Sequence, residues 1–309
     1  MSFFKNIKTE NIELKLPFLK DDGFEIFMKR EDLIHPIISG NKFRKLKYNI
    51  EKFKKNKNST LITFGGAYSN HLLAVSYIAK IENINTIAFV RGDELGVLPL
   101  NSTLQRCLDN GMEFKFISRE KYRFRNDSNF LKNLSSKYNN AFIIPEGGTN
   151  DLGILGCEEI LTLRDKNFFD VICVPVGSGG TFSGLINSSL KKQKILGFSA
   201  LKNSNIINVI NKFVNKNNWE LIDEDLFGGY AKSNQNLIHF INKFYNDSNI
   251  KLDPIYNSKM IFKILEIIKQ NKWIYGKKIL IVNTGGLQSV ESFNKTLKNK
   301  KCATINYSL

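Results

Sequence analysis

Short runs of apolar and β-branched residues recur along this chain. Each is followed by a turn and then by a stretch with helical apolar spacing, and that alternation restricts the chain to an α/β architecture. The candidate strands are Leu61–Phe64, Thr86–Val90, Glu113–Ile117, Ala141–Ile144, Val171–Val176, Ile195–Ser199 and Ile279–Val282. Most are apolar on both faces, as parallel strands are when helices cover each side. His71–Lys80 and Asn101–Asn110 carry helical spacing between them. The expected fold is two doubly wound domains with mainly parallel sheets and sites at the carboxyl ends of strands. No low-complexity linker or fixed repeat marks a boundary, so the division must use discontinuous segments. A small domain is expected over residues 48–151, and a large one over 1–47 plus 152–309.

Composition narrows the function classes. The 309 residues are enough for two domains, and no apolar run approaches the ~20 residues needed to span a bilayer. The start of the chain, Met1-Ser2-Phe3-Phe4-Lys5-Asn6, soon turns polar and lacks a signal-peptide apolar core, so a cytoplasmic location is the default expectation. Cys107, Cys157, Cys173 and Cys302 show no paired spacing, which argues against a disulfide framework or a zinc site; no metal is expected. The net charge of +16 invites a nucleic-acid role. However, the lysines are spread along the chain, and the densest cluster, residues 52–57, reads as a solvated helix end. No nucleic-acid motif accompanies them. Neither a specific nucleic acid nor a membrane is expected as partner.

Two glycine turns carry the chemistry. Gly40-Asn41-Lys42 places a lysine at the mouth of a helix, its backbone held by the turn, with Arg44 and Lys45 close enough to disfavour a further ammonium charge. Those are the conditions that Schiff-base chemistry needs. Strand Val171–Val176 runs into Gly177-Ser178-Gly179-Gly180-Thr181 and then into a helix expected over Phe182–Leu190. Successive backbone N–H groups converge in such a loop, the helix start adds positive dipole, and Ser178 and Thr181 add hydroxyls. This is a phosphate cradle. Its spacing is not that of a dinucleotide fingerprint, and no Gly-Lys-Ser/Thr follows, so the loop alone leaves the phosphate unidentified.

Further turns end other strands. Gly65-Gly66-Ala67-Tyr68-Ser69-Asn70-His71 brings three polar side chains to a helix start, a position suited to a carboxylate and a ring oxygen; capping explains only one of them. His71 reads equally as a satisfied helix-start histidine or as an acid/base group. Pro145-Glu146-Gly147-Gly148 reads as a loop at the domain junction. Asn283-Thr284-Gly285-Gly286 follows the last strand. Tyr256, in Leu252-Asp253-Pro254-Ile255-Tyr256-Asn257, opens a helix, and Gly228-Gly229-Tyr230 is another aromatic-bearing turn.

Together these segments, in this order, resemble the pyridoxal-phosphate enzymes of the tryptophan-synthase β fold, fold type II. Within that fold they resemble the family of 1-aminocyclopropane-1-carboxylate deaminase and D-cysteine desulfhydrase. The lysine motif Gly40–Leu46 is of that family's type, unlike the Ser-x-Lys of cysteine synthases and serine dehydratases. The resemblance implies pyridoxal 5′-phosphate in the interdomain cleft, covalently bound to Lys42. It implies that Asn70 holds the 3′ oxygen, that Gly177, Ser178, Gly179, Gly180 and Thr181 hold the phosphate, and that Thr284 faces the pyridine nitrogen. Ser69, with Asn70 and His71, would contact the substrate, and Ser69 would also serve as a catalytic hydroxyl. Tyr256 and Tyr230 would stand over the reacting carbon.

Deaminases of this family typically carry Glu after the Asp-Pro-x-Tyr tyrosine and Leu before the last double glycine. This chain carries Asn257 and Thr284 instead. A glutamate beside the pyridine nitrogen would keep it protonated and strengthen the electron sink needed to open a cyclopropane. A neutral amide or hydroxyl leaves a milder sink, sufficient for β-elimination. The resemblance therefore implies an enzyme of D-cysteine desulfhydrase type, giving a 2-oxo acid, ammonia and hydrogen sulfide. The alternatives are 1-aminocyclopropane-1-carboxylate deaminase, a D-serine dehydratase or racemase activity, or a cofactor-binding protein without turnover. Desulfhydrases often carry Thr or Ser at the Asn257 position. A homodimer is the family's common assembly and the expectation here.

Overall fold

The computed structural model describes residues 3–4, 7, 9–16, 23–38, 40–200, 205–223, 226–229 and 232–307. They divide into two compact units, Met1–Asn41 with Cys157–Leu309, and Lys42–Gly156. The first unit opens with β1 (Asn11–Glu13) and β2 (Glu25–Lys29). Its last residue before the crossing, Asn41, starts α1 (Asn41–Lys55). The second unit continues through β3 (Thr60–Gly65), α2 (Asn70–Glu82), β4 (Asn85–Arg91), α3 (Ser102–Asp109) and β5 (Glu113–Ile117). It then runs through α4 (Arg119–Tyr122), α5 (Ser128–Lys137), β6 (Phe142–Ile144) and α6 (Asp151–Glu158). The chain returns to the first unit with α7 (Leu163–Phe168), β7 (Val171–Val176), α8 (Gly180–Ser188), β8 (Lys194–Ser199), α9 (Ile206–Asn211) and β9 (Trp219–Ile222). It closes with α10 (Gln235–Ser248), α11 (Asn257–Lys269), β10 (Lys278–Val282) and α12 (Ser289–Asn299).

Among the described residues the first unit's sheet runs β1-β2-β10-β7-β8-β9, and only the β1–β2 pairing is antiparallel. The second unit's sheet, β5-β4-β3-β6, is parallel throughout. This is the mainly parallel α/β fold expected from the two-faced apolar strands. β7 shows why: all six of its residues are buried. Val171 and Cys173 pack with Met260, Ile264 and Leu265 of α11, whereas Ile172, Val174 and Val176 pack with Phe182, Leu185 and Ile186 of α8. Successive side chains alternate across a strand, so such a strand needs a helical layer on each face. In the second unit Ile62 and Phe64 of β3 and Ile87 and Phe89 of β4 pack against Tyr122 and Leu134.

Helix starts follow the short polar residues in the sequence. Asn101, Asp127 and Asn234 accept from the backbone N–H groups of Leu104, Phe130 and Leu237. Thr162 and Asp165 form a reciprocal capping box at α7. Asp165 also joins the first unit's two segments. It accepts from Lys29 Nζ at 2.8 Å and from Asn11 Nδ2 at 2.6 Å, and the Lys29–Asp165 pair is almost wholly buried. Burial alone would raise the Asp165 carboxyl; the hydrogen bond and charge of Lys29, with Thr162 and Asn11, hold it below the usual carboxylate range instead.

Three strands fall outside the sequence reading. β1 is only three residues long, β2 is bounded by Glu25 and Lys29, and β9 is half-exposed along its length. α8 begins at Gly180, two residues before the expected start, because the turn's own glycine is already helical. Lys52, Lys54, Lys55 and Lys57 are exposed, as expected of a solvated helix end.

Candidate active site

In the first unit, β7 delivers Gly177–Thr181 at its carboxyl end. Gly179 is the N-cap of α8 in the left-handed region, at φ 84°, and no side chain caps the helix. A residue with a Cβ is strained there. No capping side chain takes the N–H groups of this helix start. Thr181, 4% exposed, accepts from Asn41 Nδ2 at 2.8 Å. Its own hydroxyl proton remains available to donate. Gly40 is held against the last turn: a Cβ on it would lie 1.9 Å from the Thr284 carbonyl oxygen, and Asn41 N–H donates to that same oxygen at 3.4 Å. The two residues before Lys42 are thus bound to the Gly177–Thr181 turn and to the turn after β10.

Tyr256 covers the loop. A Cβ on Gly177 would come within 3.3 Å of the Tyr256 ring. The tyrosine is set by a buried carboxyl next to it in sequence. Asp253 accepts from the N–H groups of Ile255, Tyr256 and Asn257 and from Asn257 Nδ2, at 2.6–2.9 Å. Burial raises the Asp253 pKa, and the hydrogen bonds from Asn257, Tyr256 and Ile255 oppose that shift. Asn257, fully buried, donates also to the Gly285 carbonyl at 2.9 Å and accepts from Thr284 N–H at 3.0 Å and Thr284 Oγ1 at 3.4 Å. Both hydrogens and both lone pairs of its amide are occupied. Lys259 Nζ donates to the Gly229 carbonyl at 2.6 Å and so moors the turn before Tyr230. Tyr230 itself lies outside the described residues, as does Ser39.

The second unit carries Lys42 and the polar turn after β3. Lys42 is half-buried, the second residue of α1. Lys45, on the same helix face and 2% exposed, donates to the Gly147 carbonyl at 2.9 Å and to Thr149 Oγ1 at 3.3 Å. The turn Pro145–Gly148 therefore holds a buried cation within this unit. Ser69 is the N-cap of α2 and accepts from Leu72 N–H at 3.3 Å; Asn70 is the first helical residue, half-buried. His71 is buried, with Nε2 2.8 Å from Thr63 Oγ1, and no hydrogen-bond partner reaches its Nδ1. Burial, and then the charges of Lys42 and Lys45, keep its pKa well below 6.5.

The contacts link Asn41, Gly177, Thr181, Tyr256, Asn257 and Thr284 in the first unit, and place Lys42, Ser69, Asn70 and His71 in the second. Asn41, Thr63 and Lys259 are participants that sequence reasoning missed. Only Asn41, standing within the lysine motif, had a signal that pointed to it. The first-unit cradle fits a phosphorylated cofactor: it combines an uncapped helix start, a left-handed glycine and a buried hydroxyl already turned by Asn41. No group of three or more acidic, histidine or cysteine side chains suited to a metal occurs among the described residues, and no helix among them is long and apolar enough to cross a membrane.

Comparison with known proteins follows the same lines. A family model described as pyridoxal-phosphate dependent enzyme matches residues 8–285. A Thermotoga maritima protein, provisionally named a 1-aminocyclopropane-1-carboxylate deaminase, is 31% identical over 287 residues, covering 86% of this chain and 89% of its own. The mitochondrial bifunctional D-cysteine desulfhydrase/1-aminocyclopropane-1-carboxylate deaminase of Arabidopsis thaliana is 30% identical over 295 residues, covering 86% of this chain and 73% of its own. The crystal structure of a homologue of that deaminase superposes with a TM-score of 0.79 at 23% identity, covering 95% of this chain and 94% of that one. A hydrogen sulfide-producing enzyme from Fusobacterium nucleatum gives 0.63 at 16% identity, with 90% and 95% covered. At those identities the two structures speak for the fold alone.

Proposed function

The chain belongs to the family of pyridoxal-phosphate dependent enzymes, and from that premise we propose that it eliminates the β-substituent of a small amino acid, as a D-cysteine desulfhydrase does. One water is consumed, and the products are a 2-oxo acid, ammonia and, from a β-thiol, hydrogen sulfide. When bound, the cofactor supplies the electron sink for the substrate's α-carbon. Lys42 is the residue that carries it. The observation that supports this choice of lysine is the 2.8 Å hydrogen bond from Asn41, its neighbour in the chain, to Thr181 of the cradle.

The division of labour follows from the groups already described. The N–H groups and hydroxyls of Gly177, Ser178, Gly179, Gly180 and Thr181 hold the phosphate, and Asn70 holds the ring oxygen. Ser69 and His71 orient the amino acid. The Lys42 amine would take the α-proton, and Tyr256, with Tyr230 as its partner, would give a proton to the departing group. Thr284 faces the ring nitrogen.

Elimination is favoured over ring opening by one feature, the neutral and fully engaged Asn257. No carboxylate stands at that position to protonate the ring, and Asn257 itself spends its amide on Asp253, Thr284 and Gly285. A second reading, deamination of 1-aminocyclopropane-1-carboxylate, is supported by the names of the Thermotoga and Arabidopsis relatives. Release of 2-oxo acid and sulfide from D-cysteine, L-cysteine, D-serine and 1-aminocyclopropane-1-carboxylate separates the readings. The account expects D-cysteine to be turned over faster than the cyclopropane; the reverse order would favour the second reading. A homodimer in the cytoplasm completes the proposal. Cys107, Cys157 and Cys173, all buried as free thiols, suit a reducing compartment.

A further inference from the structure

Thr63 lies in the middle of β3, outside every motif of the sequence, and is fully buried. Its hydroxyl has two neighbours in the second unit, the Ile144 carbonyl at 2.9 Å and His71 Nε2 at 2.8 Å. A carbonyl only accepts, so the single hydroxyl proton goes to Ile144. The histidine must then be the donor in the other contact, which puts a proton on Nε2. Burial, with Lys42 and Lys45 close by, keeps the ring uncharged. Nδ1 is then a bare lone pair, buried and without a partner. An unfilled acceptor in a buried position is costly unless a donor arrives. The ring edge beside it borders Gly148, where a Cβ would lie 3.4 Å from His71 Cε1.

We propose that Thr63 is a positioning residue: it fixes His71 in the Nε2-protonated tautomer, so that Nδ1 accepts a hydrogen bond from an ammonium group. Two sources share that chemistry, the Lys42 side chain and the amine of an amino-acid substrate. The inference rests on the reading of this turn as the amino-acid end of the site. Lysine charge nearby makes a neutral acceptor useful, because a cationic imidazole would repel either amine.

The test uses holoenzyme carrying ¹⁵N-labelled histidine. The chain has three histidines, so the ring spectrum is simple. His71 is expected to show a neutral, Nε2-protonated ring from pH 6 to 8. Thr63→Ser should keep that pattern. Thr63→Val, if still folded by its thermal unfolding profile, should lose it and lower kcat/KM about tenfold, the value of one buried hydrogen bond. D-Alanine, which has no β-leaving group, serves as the amine probe. An Nδ1 shift on adding it that persists in Lys42→Ala assigns the donor to the amino acid; a shift on adding it that is lost in Lys42→Ala assigns the donor to the Lys42 amine. A proton on Nδ1, an unchanged ring in Thr63→Val, or no shift in either arm overturns the proposal. Failure of all four substrates to release product, with the ring pattern as expected, would fault the functional reading and not the tautomer.

Discussion

The two units solve the same local problem differently. In each, a parallel strand ends in a glycine turn that opens a helix. At β7–α8 the N-cap is a left-handed glycine and no side chain caps the helix. At β3–α2 the N-cap is Ser69 in extended conformation, its oxygen spent on Leu72 N–H, and the next residues are Asn70 and His71. The first junction presents main-chain donors, which suit a spherical, multiply charged anion. The second presents side chains in fixed directions, which suit a ligand that must be oriented. On the proposed reading, a phosphate and an amino acid would be recognised by different chemistry built on the same kind of βα unit.

The largest expected effect lies in the frame behind the first junction. Asp165→Asn leaves Lys29 as a buried cation and should cost about 3–5 kcal/mol, read from the denaturant midpoint. The half-exposed Arg125–Glu146 pair of the second unit is the control: Glu146→Gln should cost about 1 kcal/mol or less. Acidification should agree. The folded Asp165 carboxyl binds protons less readily than the unfolded one, so its stabilisation is complete above about pH 3.9 and fades as pH falls through its lower folded value. Urea midpoints between pH 6 and 3 should therefore fall more steeply for the wild type than for Asp165→Asn.

Smaller effects divide the junctions themselves. Gly179→Ala imposes a left-handed alanine, about 1–2 kcal/mol, and its Cβ would press on Ile206 at 3.3 Å. Affinity for pyridoxal phosphate, titrated by absorbance, should drop about tenfold, with inorganic phosphate losing its protection of the apoprotein against heat. Ser69→Ala should cost about 1 kcal/mol as a lost cap, and Ser69→Gly only a few tenths. If the hydroxyl also serves the reaction, both variants lose kcat/KM alike. Recovery of activity in Ser69→Gly would reduce Ser69 to a cap and remove the contrast between the junctions.

Much of this was legible in the sequence because the signals are local. β3 to β8 and β10 read as strands, most of them from two-faced apolar runs, and Lys42, Ser69, Asn70 and Thr181 fall at helix starts because glycines mark the turns before them. β2 was hidden because Lys29 resembles a loop residue until Asp165, 136 residues later, supplies its partner. Thr63 gave no signal, since its meaning depends on Ile144 and His71 together. The engagement of Asn257 by Thr284 and Gly285 is likewise a long-range fact. Local chemistry named the groups, and tertiary contacts decided which of their atoms remain for a ligand.

Borohydride reduction of the yellow holoenzyme, followed by peptide mass spectrometry, reaches the central claim most directly. The account predicts a pyridoxyl mass on the peptide containing Lys42, and none in Lys42→Ala. A label on another lysine, with Lys42 unmodified, would contradict it.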